Sequence, residues 1–146
     1  MSGKRVRAFW DSSALVPLFC RDAYSSRSRQ LLRRFPGIVA WWGTPVEVHG
    51  ALIRLLKEGR LSAEGAEKAL GYFKRLRFRW REVLPVEGVR DLAEECLERY
   101  RIRSADAFQL AAALVWCKEI PKGRPFLCFD SELSEAARQA GFELFP

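Results

Sequence analysis

Short apolar runs, each followed by a stretch with helical spacing, recur from one end of this chain to the other, and this alternation restricts the fold more than any other feature. Residues 6–10 form the first run, and SSALVPLF after them reads as a short helix that Pro17 bends or ends. Residues 23–34 read as a strongly basic amphipathic helix, FPG as a turn, and residues 38–42 as a second β-favouring run. Thr44-Pro45-Val46-Glu47 then has the pattern of a capping box, with Thr44 at the N-cap, Pro45 first in the helix and Glu47 third. That helix carries Val48, Leu52, Leu55 and Leu56 and should end near Gly59; Ser62 caps a partner bearing Ala66, Ala69, Leu70, Phe73 and Leu76, so the two form a helical hairpin.

Further along, FKRLRFRWR alternates apolar and basic residues and reads as a helix end running into an extended segment, with residues 83–86 as a short strand. Residues 87–100 place Val89, Leu92, Ala93, Cys96 and Leu97 on one helix face. Ser104 caps the next helix, whose ADAFQLAAALVWC is apolar nearly all round and is therefore expected to be central and buried. Residues 126–129 and 142–145 close the pattern as strands, either side of a helix over 131–140 that Gly141 ends. Alternating strands and helices of this kind predict a three-layer α/β/α sandwich with a mainly parallel central sheet.

At 146 residues and 49% hydrophobic content, the chain has enough material for one core and little for a second, so residues 1–146 are expected to form a single domain. The charged MSGKRVR start leads into too few apolar residues for a signal segment or a membrane span, which predicts a cytoplasmic protein with no membrane partner. Cys20, Cys96, Cys117 and Cys128 are widely spaced in apolar surroundings and form no CxxC pair, so they read as reduced thiols. His49, the one histidine, reads as an exposed helix residue and leaves little scope for imidazole chemistry. A formal charge of +7 favours an anionic partner, and the excess of arginine over lysine suits phosphate oxygens.

Against that basic background, four acids stand at helix starts: Asp11 in FWDSSAL, Glu47 in TPVEVHGAL, Asp106 in RSADAFQLAAAL and Asp130 in FLCFDSEL. Each has a structural explanation, as an N-cap, a capping-box member or a first-turn acid favoured by the helix dipole. In a parallel sheet, however, strand carboxyl ends and helix N-termini share one edge, where α/β proteins build their sites. Four carboxylates drawn to that edge repel one another and call for a cation, and oxygen-only ligation suits Mg²⁺ or Mn²⁺. Such ions activate water for attack at phosphorus. Glu58, Glu67, Glu94, Glu95 and Glu98 fall late in helices or on polar faces and read as solvated.

The same motifs carry a family resemblance. WDSSALVPLF is similar to the opening strand-Asp-x-Ser-Ala motif of the PIN-domain ribonucleases, WWGTPVEVHGAL to their Glu-bearing helix, RSADAFQLAAAL to their third-acid helix and FLCFDSELSEAARQAGF to their closing strand-Asp-helix. All four occur in order over nearly the whole chain, and within the family the chain most resembles the VapC toxins of type II toxin-antitoxin modules. The resemblance implies a PIN-like fold and Mg²⁺-dependent endoribonuclease activity. It implies that Asp11, Glu47, Asp106 and Asp130 form the catalytic, metal-holding acidic site, with Asp11 and Asp106 the most direct ligands. Ser13 and Ser104 match supporting hydroxyl positions, with helix capping as their other reading. A departure lies at Cys128, where the family often has threonine, which weakens the expected positioning of Asp130.

An RNA substrate, a cognate VapB-like antitoxin and a toxin homodimer are the implied partners. Arg21, Arg27, Arg54, Lys57, Arg101 and Arg103 are candidate RNA contacts by their nearness to the motifs, each with solvated surface as the other reading. FKRLRFRW and the basic second helix could contact protein partners or pack internally. Two readings compete with a toxin: a non-catalytic RNA-binding or scaffolding protein on a PIN fold, and a housekeeping nuclease outside any toxin-antitoxin module. A phosphatase of the haloacid-dehalogenase type would want a second aspartate where Ser13 stands.

Overall fold

A computed structural model describes residues 6–146; the first five residues of the charged start, where no targeting segment is expected, lie outside the described residues. Strands β1 (Arg7–Trp10), β2 (Gly37–Trp41), β3 (Arg81–Val83), β4 (Pro125–Leu127) and β5 (Glu143–Leu144) form one sheet in the order β3-β2-β1-β4-β5. Every pairing is parallel, with Phe9 opposite Val39 on one side of β1 and opposite Phe126 on the other. Helices α1 (Ser12–Leu15), α2 (Ser25–Arg34), α3 (Thr44–Lys57) and α4 (Ala63–Arg77) cover one face, and α5 (Glu87–Tyr100), α6 (Ser104–Trp116) and α7 (Ser131–Ala140) cover the other. This is the expected three-layer sandwich, with a wholly parallel sheet among the described residues.

Strand side chains alternate between the two cores, as the period of two requires. Ala8, Trp10, Ile38, Ala40 and Leu127 pack towards Leu31, Val48, Leu52 and Phe73 of the first helical layer. Phe9, Val39 and Phe126 pack towards Val89, Leu110 and Leu133 of the second, with Phe9 and Phe126 stacked at 5.4 Å. Both faces of the central strands are thus covered, which is why their sequences are continuous apolar runs rather than alternating ones. Helix α6 is the most enclosed, with Leu110, Ala111, Ala112 and Ala113 fully buried. No helix among the described residues is long and apolar enough to cross a membrane.

Several boundaries and caps differ from the sequence reading. The third strand lies at Arg81–Val83 rather than 83–86, because α4 continues to Arg77 and a short turn brings the chain to β2, where Val39 pairs with Arg81. Pro17 sits in a 3-10 turn, Val16–Leu18, that ends α1. Ser62 caps α4 as expected, accepting from the Gly65 N–H at 2.9 Å. Thr44 is not the N-cap of α3: Gly43 is, and a Cβ there would stand 2.6 Å from Trp41 Nε1, so the position suits glycine. Likewise Arg103 occupies the N-cap of α6 without a side-chain bond, and Ser104 is an exposed first-turn residue that caps nothing.

Candidate active site

The sheet order reverses at β1. Connections from β1 run to β2 and then β3 on one side, whereas β4 and β5 lie on the other. The crevice beyond the carboxyl ends of β1 and β4 is therefore a topological switch point, where open α/β sheets bind ligands. Asp11 follows β1 directly and Asp130 stands between β4 and α7. Glu47 comes from the first turn of α3 and Asp106 from the first turn of α6. All four line one crevice of about 550 Å³.

Asp11 is an N-cap: its Oδ2 accepts from the Ser13 N–H at 3.1 Å and from the Ser13 hydroxyl at 2.5 Å. The same Ser13 oxygen accepts from the Phe129 N–H at 2.9 Å, so one serine ties the loop after β1 to the loop after β4. Cys128 lies in the same seam. Its sulfur accepts from the Asp130 N–H at 3.3 Å, and its thiol is 3.5 Å from Asp11 Oδ2. Asp130 caps α7, accepting from the Leu133 N–H at 3.0 Å. None of the four cysteines is in a disulfide; Cys96, Cys117 and Cys128 are buried and Cys20 is half-buried.

Glu47 is held differently. Since Gly43 takes the N-cap, Thr44 turns its hydroxyl inward and Glu47 has no capping role. Gln109, fully buried on α6, donates through Nε2 to Thr44 Oγ1 at 3.0 Å and to Glu47 Oε1 at 2.6 Å. The sequence reading passed over Gln109 and gave Thr44 only a capping role. Gln109 lies three residues after Asp106 and so shares its helix face, and it is a lone amide in an apolar helix, which is the signal that could have found it.

Burial lifts the Asp11 carboxyl above its ordinary range, against the lowering effect of the Ser13 bonds. Glu47 is pushed up to about 7, first by burial and then by the Asp11 charge. Asp106 is pushed up to about 6 by burial, then by Asp130 and Asp11. The thiol of Cys128 is raised to about 12 by burial and Asp11, so it stays neutral. Arg103 is the local counter-charge, with Nε 4.0 Å from Asp106 Oδ2 and Nη2 3.9 Å from Asp130 Oδ2.

Among the described residues, no three acidic, cysteine or histidine side chains close round a single point as they stand. Asp11 and Asp130 are turned to helix N–H groups and Glu47 to Gln109. Asp106 Oδ2, however, is buried without a hydrogen-bond partner. An oxygen-only, mutually repelling donor set, with one buried carboxylate oxygen that makes no hydrogen bond and meets only the Arg103 charge at 4.0 Å, suits a hard divalent cation better than a soft one.

Of the candidate RNA contacts, Arg54 and Arg103 line the crevice. Arg21, Arg27, Lys57 and Arg101 do not. Lys57 is ten residues beyond Glu47 on α3, about 15 Å along the axis. Arg27 donates through Nε to the Pro146 main-chain oxygen at 3.1 Å, and Arg21 borders a separate hollow with Asp22 and Arg29. Arg101 ends α5 in the left-handed region, φ 55°. Nearness in sequence to a motif thus brought two of the six, Arg54 and Arg103, to the crevice.

The all-parallel sheet in this order, with acids at its switch point, defines a PIN-like α/β fold. Solved structures share it, among them the two that follow. One is VapC20 of Mycobacterium tuberculosis, described as a sarcin-ricin loop cleaving toxin, with a TM-score of 0.65 and 22% identity over 88% of this chain and 94% of that one. The other is a toxin-antitoxin complex from Klebsiella pneumoniae, with a TM-score of 0.62 and 15% identity over 85% of this chain and 87% of that one. Likeness at these identities establishes the fold. No family model and no curated protein matches the sequence.

Proposed function

We propose that this chain is a Mg²⁺-dependent endoribonuclease, Mn²⁺ serving as an alternative ion, and that it acts as the toxin of a type II, VapBC-like toxin-antitoxin module. The observation that carries the reading is that carboxylates from four separate elements line one crevice at the switch point, with Asp106 Oδ2 buried and without a hydrogen bond. Asp11 and Asp106 would hold the ion most directly, with Glu47 and Asp130 completing the acidic set. When bound, the ion would neutralise the cluster, polarise the scissile phosphate and lower the pKa of the attacking water.

The chain's own groups do the rest. Gln109 engages only Oε1 of Glu47, which leaves Oε2 to take a proton from water. Ser13 holds Asp11 and the β4 loop in register, while Arg54 and Arg103 bring guanidinium groups to the crevice for phosphate oxygens. Ser104 supports the site only as part of the first turn of α6. A toxin role is supported by the fold shared with a sarcin-ricin loop cleaving toxin and a toxin-antitoxin complex. It carries with it a VapB-like antitoxin partner and a homodimer.

Incubating purified protein with Mg²⁺ and a panel of end-labelled RNAs tests the activity. Wild type should cut at least 100-fold faster than Asp11→Asn/Asp106→Asn, and equal rates would sink the reading. A small open reading frame next to the gene, encoding a DNA-binding protein that binds this chain, is expected for a toxin; its absence would favour a housekeeping nuclease.

A further inference from the structure

Beside the acidic crevice lies a second hollow of about 450 Å³, lined by Trp42, Pro45, Val46, His49, Ile53 and Arg77, with Gly50 at its edge. Helix α3 forms the wall between the two. His49 and Ile53 face the hollow, Glu47, Ala51 and Arg54 face the crevice, and Val46 and Gly50 line both. Val46 and Gly50, one turn apart, therefore form the saddle between the two, and Gly50 is its low point because it carries no side chain.

Three features of this hollow lack a folding explanation. Trp42 is 53% exposed and Val46 76% exposed, although both are apolar. Trp42 is anchored through its main chain, whose N–H donates to the Val83 carbonyl at 2.9 Å just beyond the end of β2. Its ring leans edge-on against Trp41 at 6.4 Å, and Trp41 stacks on Phe108 at 5.4 Å with their planes 5° apart. Gly50 is the third feature. Glycine inside a helix costs about 1 kcal/mol relative to alanine, yet a Cβ at Gly50 would meet nothing within 4 Å. Packing does not demand glycine there, but an unobstructed saddle does.

From this geometry we infer that the hollow is a base subsite for a single-stranded RNA, with an unpaired base stacked on Trp42 and the strand crossing Gly50 into the acidic crevice. The inference rests on the ribonuclease reading for its substrate class. An exposed aromatic ring on an anchored stretch of backbone suits any base, because every base has a π face. Arg77 on the hollow and Arg54 on the crevice side supply cations along the path, and the chain's charge of +7 favours a polyanion over an acidic-poor protein surface. Arg77 is half exposed, with Nε 3.8 Å from Glu82. A duplex cannot offer a free base face, so the subsite would select unpaired over paired RNA.

Binding measured in EDTA separates this inference from the nuclease reading. The probe is a fluorescein-labelled nine-nucleotide single-stranded RNA of mixed sequence, and a two-stranded RNA duplex should compete with it poorly. Trp42→Ala should weaken binding by roughly 5- to 100-fold, and the loss should persist at raised salt, where phosphate contacts fade. Trp42→Phe should recover most of it. Gly50→Met should weaken binding comparably while leaving the fold intact by circular dichroism, and Ile120→Ala, an exposed apolar control on another surface, should change nothing. If wild type shows Trp42-dependent binding but no cleavage with Mg²⁺, the subsite stands and the nuclease reading falls. If wild type cleaves RNA while Trp42→Ala and Gly50→Met bind the probe as wild type does, the subsite is overturned and the nuclease reading stands. Conversion of a dimer to a monomer by Trp42→Ala, with RNA affinity unchanged, would assign the hollow to a subunit interface and also overturn it.

Discussion

Gln109 is the residue on which the site most depends without facing the crevice itself. It is fully buried, it joins α6 to α3, and its 2.6 Å bond to Glu47 is what opposes the upward push on that carboxyl from burial and from Asp11. Gln109→Leu keeps the volume and removes the donor. It should destabilise the fold by about 1–3 kcal/mol, because the buried Thr44 hydroxyl and the half-buried Glu47 carboxylate lose their donor. It should also raise the Glu47 pKa above about 7, moving the acid limb of the pH–rate profile to higher pH. Thermal melts and a pH–rate profile check the two parts separately, and an unmoved acid limb would remove Glu47 from the role of proton acceptor. The four acids could be singled out from sequence because each follows an apolar run or opens a helix. Gln109 could not be tied to Glu47, because their contact spans two helices and depends on Thr44 turning inward.

Among the elements, α3 shows how a local pattern can suit two structures. Thr-Pro-Val-Glu matches a capping box, but the pattern does not say whether Thr44 or the residue before it takes the N-cap. In the structure Gly43 is already in helical backbone geometry, φ −81° and ψ −11°, so it takes the N-cap and the frame moves by one. The shift frees Glu47 for the crevice. Ser104 fails as a cap for a related reason: Arg103 is already extended, with ψ 160°, and enters α6 without a side-chain bond. Helix existence was legible in both cases from apolar spacing, and the cap was not. Cys128 also belongs at this scale, since its sulfur fills the seam between the β1 and β4 loops and meets both Asp11 and Asp130. Gly50 gives the element-scale prediction. In a helix interior with open space around its Cβ, Gly50→Ala should stabilise the protein by about 0.5–1 kcal/mol. Denaturant melts with an unchanged slope would confirm it, and a loss of stability would mean that the backbone there is closely approached after all.

For the molecule as a whole, strand order is what brings the acids together, and strand order was beyond a single sequence. The apolar runs could be identified as strands and the sheet as mainly parallel, but nothing local says that β4 returns to the far side of β1 rather than continuing past β3. Only that return makes Asp11 and Asp130 neighbours and lets α6 bring Asp106 between them. The consequence is a concentrated electrostatic cost. Glu47 and Asp106 have folded pKa values of about 7 and about 6, above the ordinary values of 4.5 and 3.8. In that window the folded state binds more protons than the unfolded chain, so stability must fall as pH rises from about 4 through about 7. Asp106→Asn removes one contributor. In EDTA it should raise the melting temperature by about 2–6 °C at pH 8 and leave it nearly unchanged below about pH 3, where the carboxyl is largely protonated in both states. Mg²⁺ should act on the same charges in wild type, raising the melting temperature more at pH 8 than at pH 5, because protons compete for the carboxylates. Asp11→Asn/Asp106→Asn should lose most of that gain. A Mg²⁺ response independent of pH, or retained in the double variant, would place ion binding outside this crevice.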